Sequence, residues 1–220
     1  MISILLATYN GENFIKQSIN SILNQTFTDF ELLIGFNGTT DNSKNIVAQY
    51  NDSRIKIFDY GDDKGKAKTL NKLIKEAKFD WIAIQDDDDV WLPNKLENQI
   101  KFLENFDIIG TQILYIDKES NLIGEVRLET KDSEIKFFSL NGKNQIANSS
   151  SLTRKKVIEE VNGWNENLFG VEDYDLWLKL IRKNCRFKNL DEILVLHRIH
   201  SGSNFNNNKK QQKDLEKILK

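Results

Sequence analysis

Residues 82–95 read IAIQDDDDVWLPNK, in which a short apolar run leads directly into four carboxylates. The overlapping segment Trp81–Ile84 has the length and β-branched content of a buried strand. Asp86–Asp89 therefore lie at the carboxyl end of that strand, and Pro93 then suits the first turn of a helix. Because open α/β sheets bind ligands at the carboxyl ends of their strands, we expect the aspartates to line a binding crevice.

Four adjacent aspartates repel one another at neutral pH, so the cluster requires a cation or a ring of hydrogen-bond donors. A divalent metal ion is the simplest partner. The alternative is an ordinary solvated surface, which is the more common role of an acidic run. An EF-hand is excluded, because the sixth residue counted from Asp86 is Trp91, where a calcium loop needs glycine.

Composition excludes several classes of protein. The 220 residues carry a formal net charge of -2, so no basic field draws the chain to nucleic acid. The single cysteine, Cys185, cannot form an internal disulfide, and with only two histidines the chain lacks the ligands of a structural zinc site. We therefore expect a reducing, cytoplasmic location. Ile2–Ala7 is expected to be a first strand rather than a leader, and no segment reaches the length of a membrane span.

Apolar runs typical of buried strands alternate with amphipathic helical patterns through the first half of the chain. The predicted strands there are Ile2–Ala7, Phe30–Phe36, Arg54–Phe58 and Trp81–Ile84. This alternation favours right-handed crossovers and a doubly wound, mostly parallel sheet of the α/β class. Beyond Phe106 the pattern is looser and predicts strands at Ile108–Tyr115, Leu122–Val126, Phe187–Leu190 and Ile193–Leu196, a short helix at Lys155–Val161 and an ambiguous segment at Ser133–Phe138.

Two polar motifs stand out in the second half. Glu172 and Asp173 begin a segment with a helical apolar face, where acidic residues are stabilised by the helix dipole without any catalytic role. Further on, Arg198 and His200 would share one face of an extended chain and could clamp an anion or a metal-bound diphosphate. Spacing alone indicates a surface more often than a site for such a pair.

At this point the sequence resembles the inverting glycosyltransferase family 2, a group of GT-A fold enzymes that use nucleotide-diphosphate sugars. The resemblance covers nearly the whole chain and consists of several separate motifs in the expected order. They are Ile4–Asn10, Ser21–Thr26, Phe30–Ile34, Gly38–Asp41, Asp63–Gly65 with Asn71, Asp86–Pro93, Gly163–Trp164, Glu172–Trp177 and Arg198–His200.

The resemblance implies a role for each matching residue. It implies donor binding by Thr8, Tyr9, Asn37, Lys68, Asp86, Asp87 and Arg198. It implies that Mn2+ or Mg2+ is held by Asp88, the more direct ligand, together with Asp86 and His200. On the acceptor side it implies Asp173 as the general base, Glu172 as an orienting neighbour and Trp164 as an aromatic platform.

The implied fold is a Rossmann-like GT-A domain over residues 1–220, with a mixed, mostly parallel central sheet flanked by helices and a smaller acceptor-side subregion. Residues 1–105 form the nucleotide-sugar half and residues 106–203 the acceptor half. Residues 204–220 are a polar tail, expected to be poorly ordered, that could form an amphipathic helix touching a membrane or a partner. The sequence makes no prediction of oligomeric state.

The implied activity is transfer of a sugar from a UDP-sugar, or a GDP- or dTDP-sugar, to a glycan or lipid-linked acceptor. Surface polysaccharide synthesis, in the cytoplasm or at the inner face of the membrane, is the expected setting. One departure from the family pattern matters, because Phe36-Asn37 stands where two aspartates are common. Asn37 still offers both an acceptor and donors to a nucleobase. The alternative is a catalytically silent sugar-nucleotide-binding module, and a nucleotidyltransferase is disfavoured because no glycine-rich basic motif follows the first strand.

Overall fold

The computed structural model describes residues 1–202 and 208–219, and in that part of the chain nine strands form one mixed sheet. The strands are β1 (Ile2–Thr8), β2 (Phe30–Phe36), β3 (Ile55–Asp59), β4 (Trp81–Asp86), β5 (Val90–Trp91), β6 (Ile108–Ile116), β7 (Leu122–Val126), β8 (Leu152–Arg154) and β9 (Phe187–Arg198). The helices are α1 (Ile15–Leu23), α2 (Ser43–Val47), α3 (Lys66–Glu76), α4 (Lys95–Ile100), α5 (Asp132–Leu140), α6 (Lys155–Glu160), α7 (Glu172–Arg182) and α8 (Asn208–Ile218).

The sheet order is β3-β2-β1-β4-β8-β6-β9-β5, with β7 added to β6. The strands β3, β2, β1 and β4 are all parallel, as the alternating pattern predicts. The short strand β8 lies antiparallel between β4 and β6 and so joins the first half of the sheet to the second. Because β4 is central, its carboxyl end is reached by loops from both halves.

Both faces of the sheet are buried, which explains why the early strands are apolar along their whole length. On one face Leu5 of β1 packs in a core with α3 and α7, which contributes Trp177. On the other face Ile4 and Leu6 pack in a second core with Ile19 of α1. The two cores fix the sheet from both sides and hold its carboxyl-terminal edge in place.

Four local predictions change in the structure. The two strands predicted at the end of the second half are one strand, β9, whose register shifts against β6 as it passes Gln112. The ambiguous Ser133–Phe138 segment is helix α5. The two-residue strand β5, which pairs with β9, is not foreseen from sequence. The fourth change concerns the tail.

Part of the polar tail is ordered rather than loose. Helix α8 packs against α7 through Ile218, which is buried with Tyr174 and Leu178. Asp214 is also buried, and its Oδ2 accepts a hydrogen bond from the backbone of Phe169. The rest of the predicted tail, residues 204–207 and 220, lies outside the described residues. Among those described, no helix is both long and apolar enough to cross a membrane.

Candidate active site

A cleft of about 260 Å³ opens at the carboxyl end of β4. Part of its wall is charged or polar, and part is apolar and comes from β6, β7, the segment after β7 and the segment before β8. The charged and polar part consists of Lys66, Asp86, Asn144, Asn148, Glu172, Asp173, His197 and Gln211. The apolar part consists of Ile113, Tyr115, Val126, Leu128, Ile146 and Ala147. The cleft therefore brings the first acidic motif, on β4, next to the second, at the start of α7.

Asp86, the last residue of β4, is held by two donors. Lys66 Nζ lies 2.5 Å from its Oδ1, and Asn148 Nδ2 donates to the same oxygen at 2.9 Å. Lys66 opens α3 directly after Gly65, whose φ of 132° is accessible to glycine but strained for other residues. Burial by itself would lower the pKa of Lys66, but Asp86 and Glu172 raise it above its ordinary value.

Asp87 turns the other way, toward the end of β1. Thr8 Oγ1 donates to Asp87 Oδ2 at 2.5 Å, and a side chain on Gly11 would overlap that carboxylate. Burial, assisted by the neighbouring Asp88, raises the pKa of Asp87 to about 7. Thr8 and Asp87 are therefore in direct contact, and the absence of a side chain at Gly11 leaves room for both. Their contact with a donor remains a prediction.

Asp88 meets the second histidine of the chain. His200 Nε2 lies 3.1 Å from Asp88 Oδ2, and the imidazole ring packs against Phe14 with 4.8 Å between ring centroids. Burial raises the pKa of Asp88, and the hydrogen bond from His200 opposes that rise. Two of the three predicted metal ligands thus lie side by side.

Asp89 is a structural acid at the base of the site. Its carboxylate is fully buried and accepts hydrogen bonds from Ser149 Oγ, from the backbone N–H of Arg198 at 2.8 Å, and from His197 Nδ1 at 3.0 Å. Burial would raise its pKa, but His197 holds it below the usual range. In return Asp89 overcomes the opposite effect of burial on His197 and raises the pKa of that imidazole to about 9. The pair is therefore an ion pair at neutral pH.

Glu172 and Asp173 begin α7 and face the cleft. Burial and the adjacent Glu172 raise the pKa of Asp173 to about 6, while Lys66 acts against that rise. Asn144 Nδ2 donates to Asp173 Oδ2 at 3.3 Å. Among the described residues, no donor bonds the buried Oε2 of Glu172. At pH 7 Asp173 is mostly ionised, with a proton affinity close to that expected of a general base.

These motifs have a family counterpart. Residues 3–161 match the sequence model described as Glycosyl transferase family 2, which is well over half of the chain. The chain belongs to this family. Its relatives are also glycosyltransferases, so the predicted enzyme class is confirmed.

Three curated relatives show the extent of the match. The chain is 34% identical over 213 residues to the O-antigen biosynthesis glycosyltransferase WbnJ of Escherichia coli, covering 92% of this chain and 81% of WbnJ. It is 31% identical over 221 residues to the uncharacterized glycosyltransferase MJ1057 of Methanocaldococcus jannaschii, with 97% and 76% covered. It is 29% identical over 204 residues to the E. coli UDP-Glc:alpha-D-GlcNAc-diphosphoundecaprenol beta-1,3-glucosyltransferase WfaP, with 92% and 79% covered.

Solved glycosyltransferases share the fold. TarS 1-349 of S. aureus, in complex with UDP-GlcNAc, superposes with a TM-score of 0.80 at 19% identity over 99% of this chain. The mannosyltransferase PcManGT of Pyrobaculum calidifontis, in complex with GDP-Man and Mn2+, gives a TM-score of 0.76 at 14% identity. The chain spans 64% of that TarS chain and 62% of PcManGT. The predicted GT-A fold is therefore confirmed.

For this family 2 member, the structure changes the expected metal set. Within residues 1–202 and 208–219, no three His, Cys, Asp or Glu side chains come together as a metal-holding group. Asp86 is directed to Lys66 and Asn148, so the predicted trio with Asp88 and His200 does not form. The remaining pair still fits Mn2+ or Mg2+, because such ions in transferase sites usually take one or two protein ligands and complete their shell with phosphates and water.

The predicted clamp residue Arg198 is already engaged. Its side chain is buried, and its guanidinium donates to the backbone carbonyls of Asp88 at 2.8 Å and Asp117 at 2.6 Å. It also donates to Gln17 Oε1 at 2.8 Å. In this arrangement Arg198 braces the loop after β4 against α1 and the turn after β6, instead of facing the cleft as expected. Its contact with a diphosphate remains a prediction.

The other donor-side residues lie at the ends of neighbouring strands. Tyr9 is 48% exposed, and the ammonium of Lys64 lies over its ring, 5.3 Å from the ring centroid. Asn37 is buried at the end of β2 and donates to Thr69 Oγ1 at 3.0 Å. Lys68 does not line the cleft and instead pairs with Asp63 at 3.0 Å. Contact of these residues with a donor nucleotide remains a prediction.

The structure contradicts the platform role of Trp164. The ring is only 2% exposed and packs in the core beneath α3 and α7, so it cannot present a face to an acceptor. Its backbone is fixed by Asn71, whose side chain bonds both the N–H and the carbonyl of Trp164. The aromatic residue that does line the cleft is Tyr115, in its apolar part.

Sequence reasoning missed five polar residues of the cleft, which are Lys66, Asn144, Asn148, His197 and Gln211. Lys66 stands two positions before the predicted Lys68, and only the direction of the first turn of α3 distinguishes the two lysines. His197 directly precedes the Arg198–His200 motif, but its partner Asp89 comes from the other half of the chain. Asn148 lies in a polar segment without any local signal.

Proposed function

We propose that this glycosyltransferase is an inverting, metal-dependent enzyme that moves a sugar from a nucleotide-diphosphate donor to a hydroxyl of a lipid-linked glycan. The observation that carries the proposal is that Asp173 and Asp86 line one cleft, while Asp88, two residues after Asp86, contacts His200. This arrangement supports a base for the acceptor on α7 and acids for the donor at the end of β4.

Asp173 is the proposed base. One of its carboxylate oxygens takes the proton of the acceptor hydroxyl as the acceptor oxygen forms a bond to the anomeric carbon. The bond from that carbon to the diphosphate oxygen breaks in the same displacement, and its electron pair leaves with the nucleoside diphosphate. Attack opposite the leaving group inverts the anomeric centre. With a pKa of about 6, Asp173 is ionised at neutral pH yet basic enough to accept the proton.

The donor half is proposed to be residues 1–105 and the acceptor half residues 106–203. Tyr9 offers a half-exposed ring to a nucleobase. The backbone N–H of Asn37 donates to the carbonyl of Thr8 at the end of β1, so Asn37 lies at the same edge of the sheet. Asp88 and His200 would hold Mn2+ or Mg2+, which supplies electrostatic stabilisation to the departing diphosphate. Lys68 and Arg198 are the further candidates for donor contact, each after release from its present partner.

The relatives favour a UDP-sugar and a lipid-diphosphate acceptor. WfaP carries UDP-Glc and alpha-D-GlcNAc-diphosphoundecaprenol in its name, and TarS binds UDP-GlcNAc. PcManGT binds GDP-Man, so GDP-sugars and dTDP-sugars belong in any donor screen. We place the reaction in surface polysaccharide synthesis in the cytoplasm, with peripheral contact at the inner face of the membrane where such an acceptor is held.

The test is a donor screen with purified protein. UDP-, GDP- and dTDP-sugars are each incubated with Mn2+ or Mg2+ and a synthetic GlcNAc-diphosphate-lipid, and the release of nucleoside diphosphate and the product linkage are measured. Asp173→Asn is the inactive variant. Asp191→Asn is its matched control, because it makes the same chemical change at an exposed position on β9 that does not line the cleft.

Inverted product from the wild type and Asp191→Asn, but not from Asp173→Asn, is the expected result. Retention of configuration would refute the single-displacement mechanism. Tight binding of a nucleotide sugar without transfer to any acceptor would favour the alternative of a silent sugar-nucleotide-binding module.

A further inference from the structure

Lys66 occupies an unusual place for a cation. It is the first residue of α3, and a positive charge at a helix N-terminus is disfavoured by the helix dipole. Its side chain is only 28% exposed, so it also loses part of its hydration. The compensation comes from carboxylates on two other segments, Asp86 at the end of β4 and the Glu172-Asp173 pair at the start of α7.

These three carboxylates need a shared counter-ion. Asp86, Glu172 and Asp173 line the same cleft as Lys66, and Asp86 is in direct contact with its ammonium. Glu172 is buried, with only 7% of its surface exposed. The nearby Asp175 does not need Lys66, because it forms a salt bridge with Lys179. Without Lys66, three neighbouring acids would face one another across a partly dehydrated space, which favours separation of the segments or uptake of a proton.

We propose that Lys66 is a positioning residue for Asp173, whose ammonium keeps the donor-side and acceptor-side carboxylates together around one cleft. The proposal rests on the proposed role of Asp173 as the base. Lys66 does not take part in proton transfer. It acts by placing Asp173 opposite the donor and by favouring its ionised form.

The charges that face Asp173 come from three elements. Glu172 on its own helix and Asp86 on β4 raise the pKa of Asp173 beyond the effect of burial, and Lys66 on α3 lowers it. Asn144 contributes a neutral amide. His197 lines the same cleft but is paired with Asp89. Removal of the Lys66 charge should therefore raise the pKa of Asp173 directly.

The experiment compares variants that remove or keep this charge. Lys66→Gln and Lys66→Met remove it, the second without a side chain that needs a polar partner, and Lys66→Arg keeps it. Lys72→Gln is the matched control, since Lys72 lies on the same helix and also forms an ion pair at 2.5 Å, with Asp63 away from the cleft. The carboxyl carbon of Asp173 is titrated by NMR in aspartate-labelled, metal-free protein, with Asp173→Asn for assignment.

We expect the titration midpoint of Asp173 to move from about 6 to about 8 in the neutral variants, which is within the range for loss of one nearby opposite charge. Lys66→Arg and Lys72→Gln should keep the wild-type midpoint. In transfer assays the neutral variants should lose about tenfold in kcat at pH 7, because the ionised fraction falls by that factor, and should recover above pH 8.5. The donor KM should change little.

An unchanged midpoint in both neutral variants, or an equal change in Lys72→Gln, would overturn the proposal. The NMR measurement needs no turnover. A shifted midpoint in a protein that transfers no sugar would therefore uphold the effect of Lys66 on Asp173 while refuting the proposed function.

Discussion

Lys95 is a buried lysine whose replacement should stabilise the protein. Its side chain has no exposed surface, and its ammonium lies 2.9 Å from Gln99 Oε1 and 3.9 Å from the centroid of a Trp91 ring. Within residues 1–202 and 208–219, no carboxylate forms a salt bridge with it. Burial therefore holds the pKa of Lys95 well below its ordinary value.

The magnitude for Lys95→Met follows from these contacts. Keeping a lysine neutral at pH 7 costs at most about 5 kcal/mol, since each pH unit below its ordinary pKa of about 10.4 costs about 1.4 kcal/mol. Against this, the substitution leaves Gln99 Oε1 without its donor, at about 1–3 kcal/mol. Methionine fills a similar volume. We expect a net gain of roughly 1–3 kcal/mol in the free energy of unfolding.

The pH dependence has a definite sign. Because the pKa of Lys95 is lower in the folded state, the unfolded chain binds more protons between the two values. The contribution of Lys95 to stability therefore rises with pH until it levels off above about 10.4. Lys95→Met lacks this rise, so its advantage over the wild type should shrink from pH 7 to pH 9.5.

The assay is urea unfolding of both proteins at pH 7, 8 and 9.5, followed by tryptophan fluorescence. Lys101→Met, at an exposed position just after α4, is the control for the general effect of removing a lysine. If Lys95→Met is less stable than the wild type, or if their difference does not change with pH, then Lys95 is charged in the fold and the reasoning is refuted.

Three further outcomes are expected. Asp173→Asn should lower transfer by about 10²-fold with little change in donor affinity, and Glu172→Gln should cost less; steady-state kinetics that reverse this order would exchange their roles. Asp88→Ala should abolish the Mn2+-dependent part of nucleotide binding by calorimetry, and equal wild-type binding with and without Mn2+ would contradict it. Trp164→Phe should reduce thermal stability but leave acceptor KM unchanged, whereas a large rise in KM would restore the platform role.

The first half of the fold could be predicted because its strands carry their own signal. Ile2–Ala7 and Phe30–Phe36 are apolar along their length, and this pattern follows from burial on both faces of a parallel sheet. Helix α5 was ambiguous because its apolar residues do not form a clean stripe, and Phe137 and Leu140 are exposed. Strand β5 has two residues and is defined only by its pairing with β9. Such elements depend on tertiary contacts that local sequence does not contain.

The site could be predicted where one motif supplies the whole feature, and not where two distant segments meet. Asp86–Asp89 stands out from the sequence itself, and the family resemblance adds Glu172-Asp173. The sequence does not show how the four aspartates differ in their contacts, because the partner of each comes from elsewhere in the chain. Examples are Thr8 for Asp87 and His197 for Asp89. Trp164 was misjudged for the same reason, since its motif identifies a turn but does not show which side of the turn is buried.

The path of β9 has a consequence for building chimeras within the family. β9 comes from the second half of the chain, yet it pairs with Val90–Trp91 from the first half, and Arg198 at its end bonds Gln17 of α1. A chimera that joins residues 1–105 to the second half of a relative must therefore bring a strand that accepts this pairing and an arginine in the same place. To exchange substrate preferences between this enzyme and a relative, loops between strands should be exchanged, and not halves of the chain.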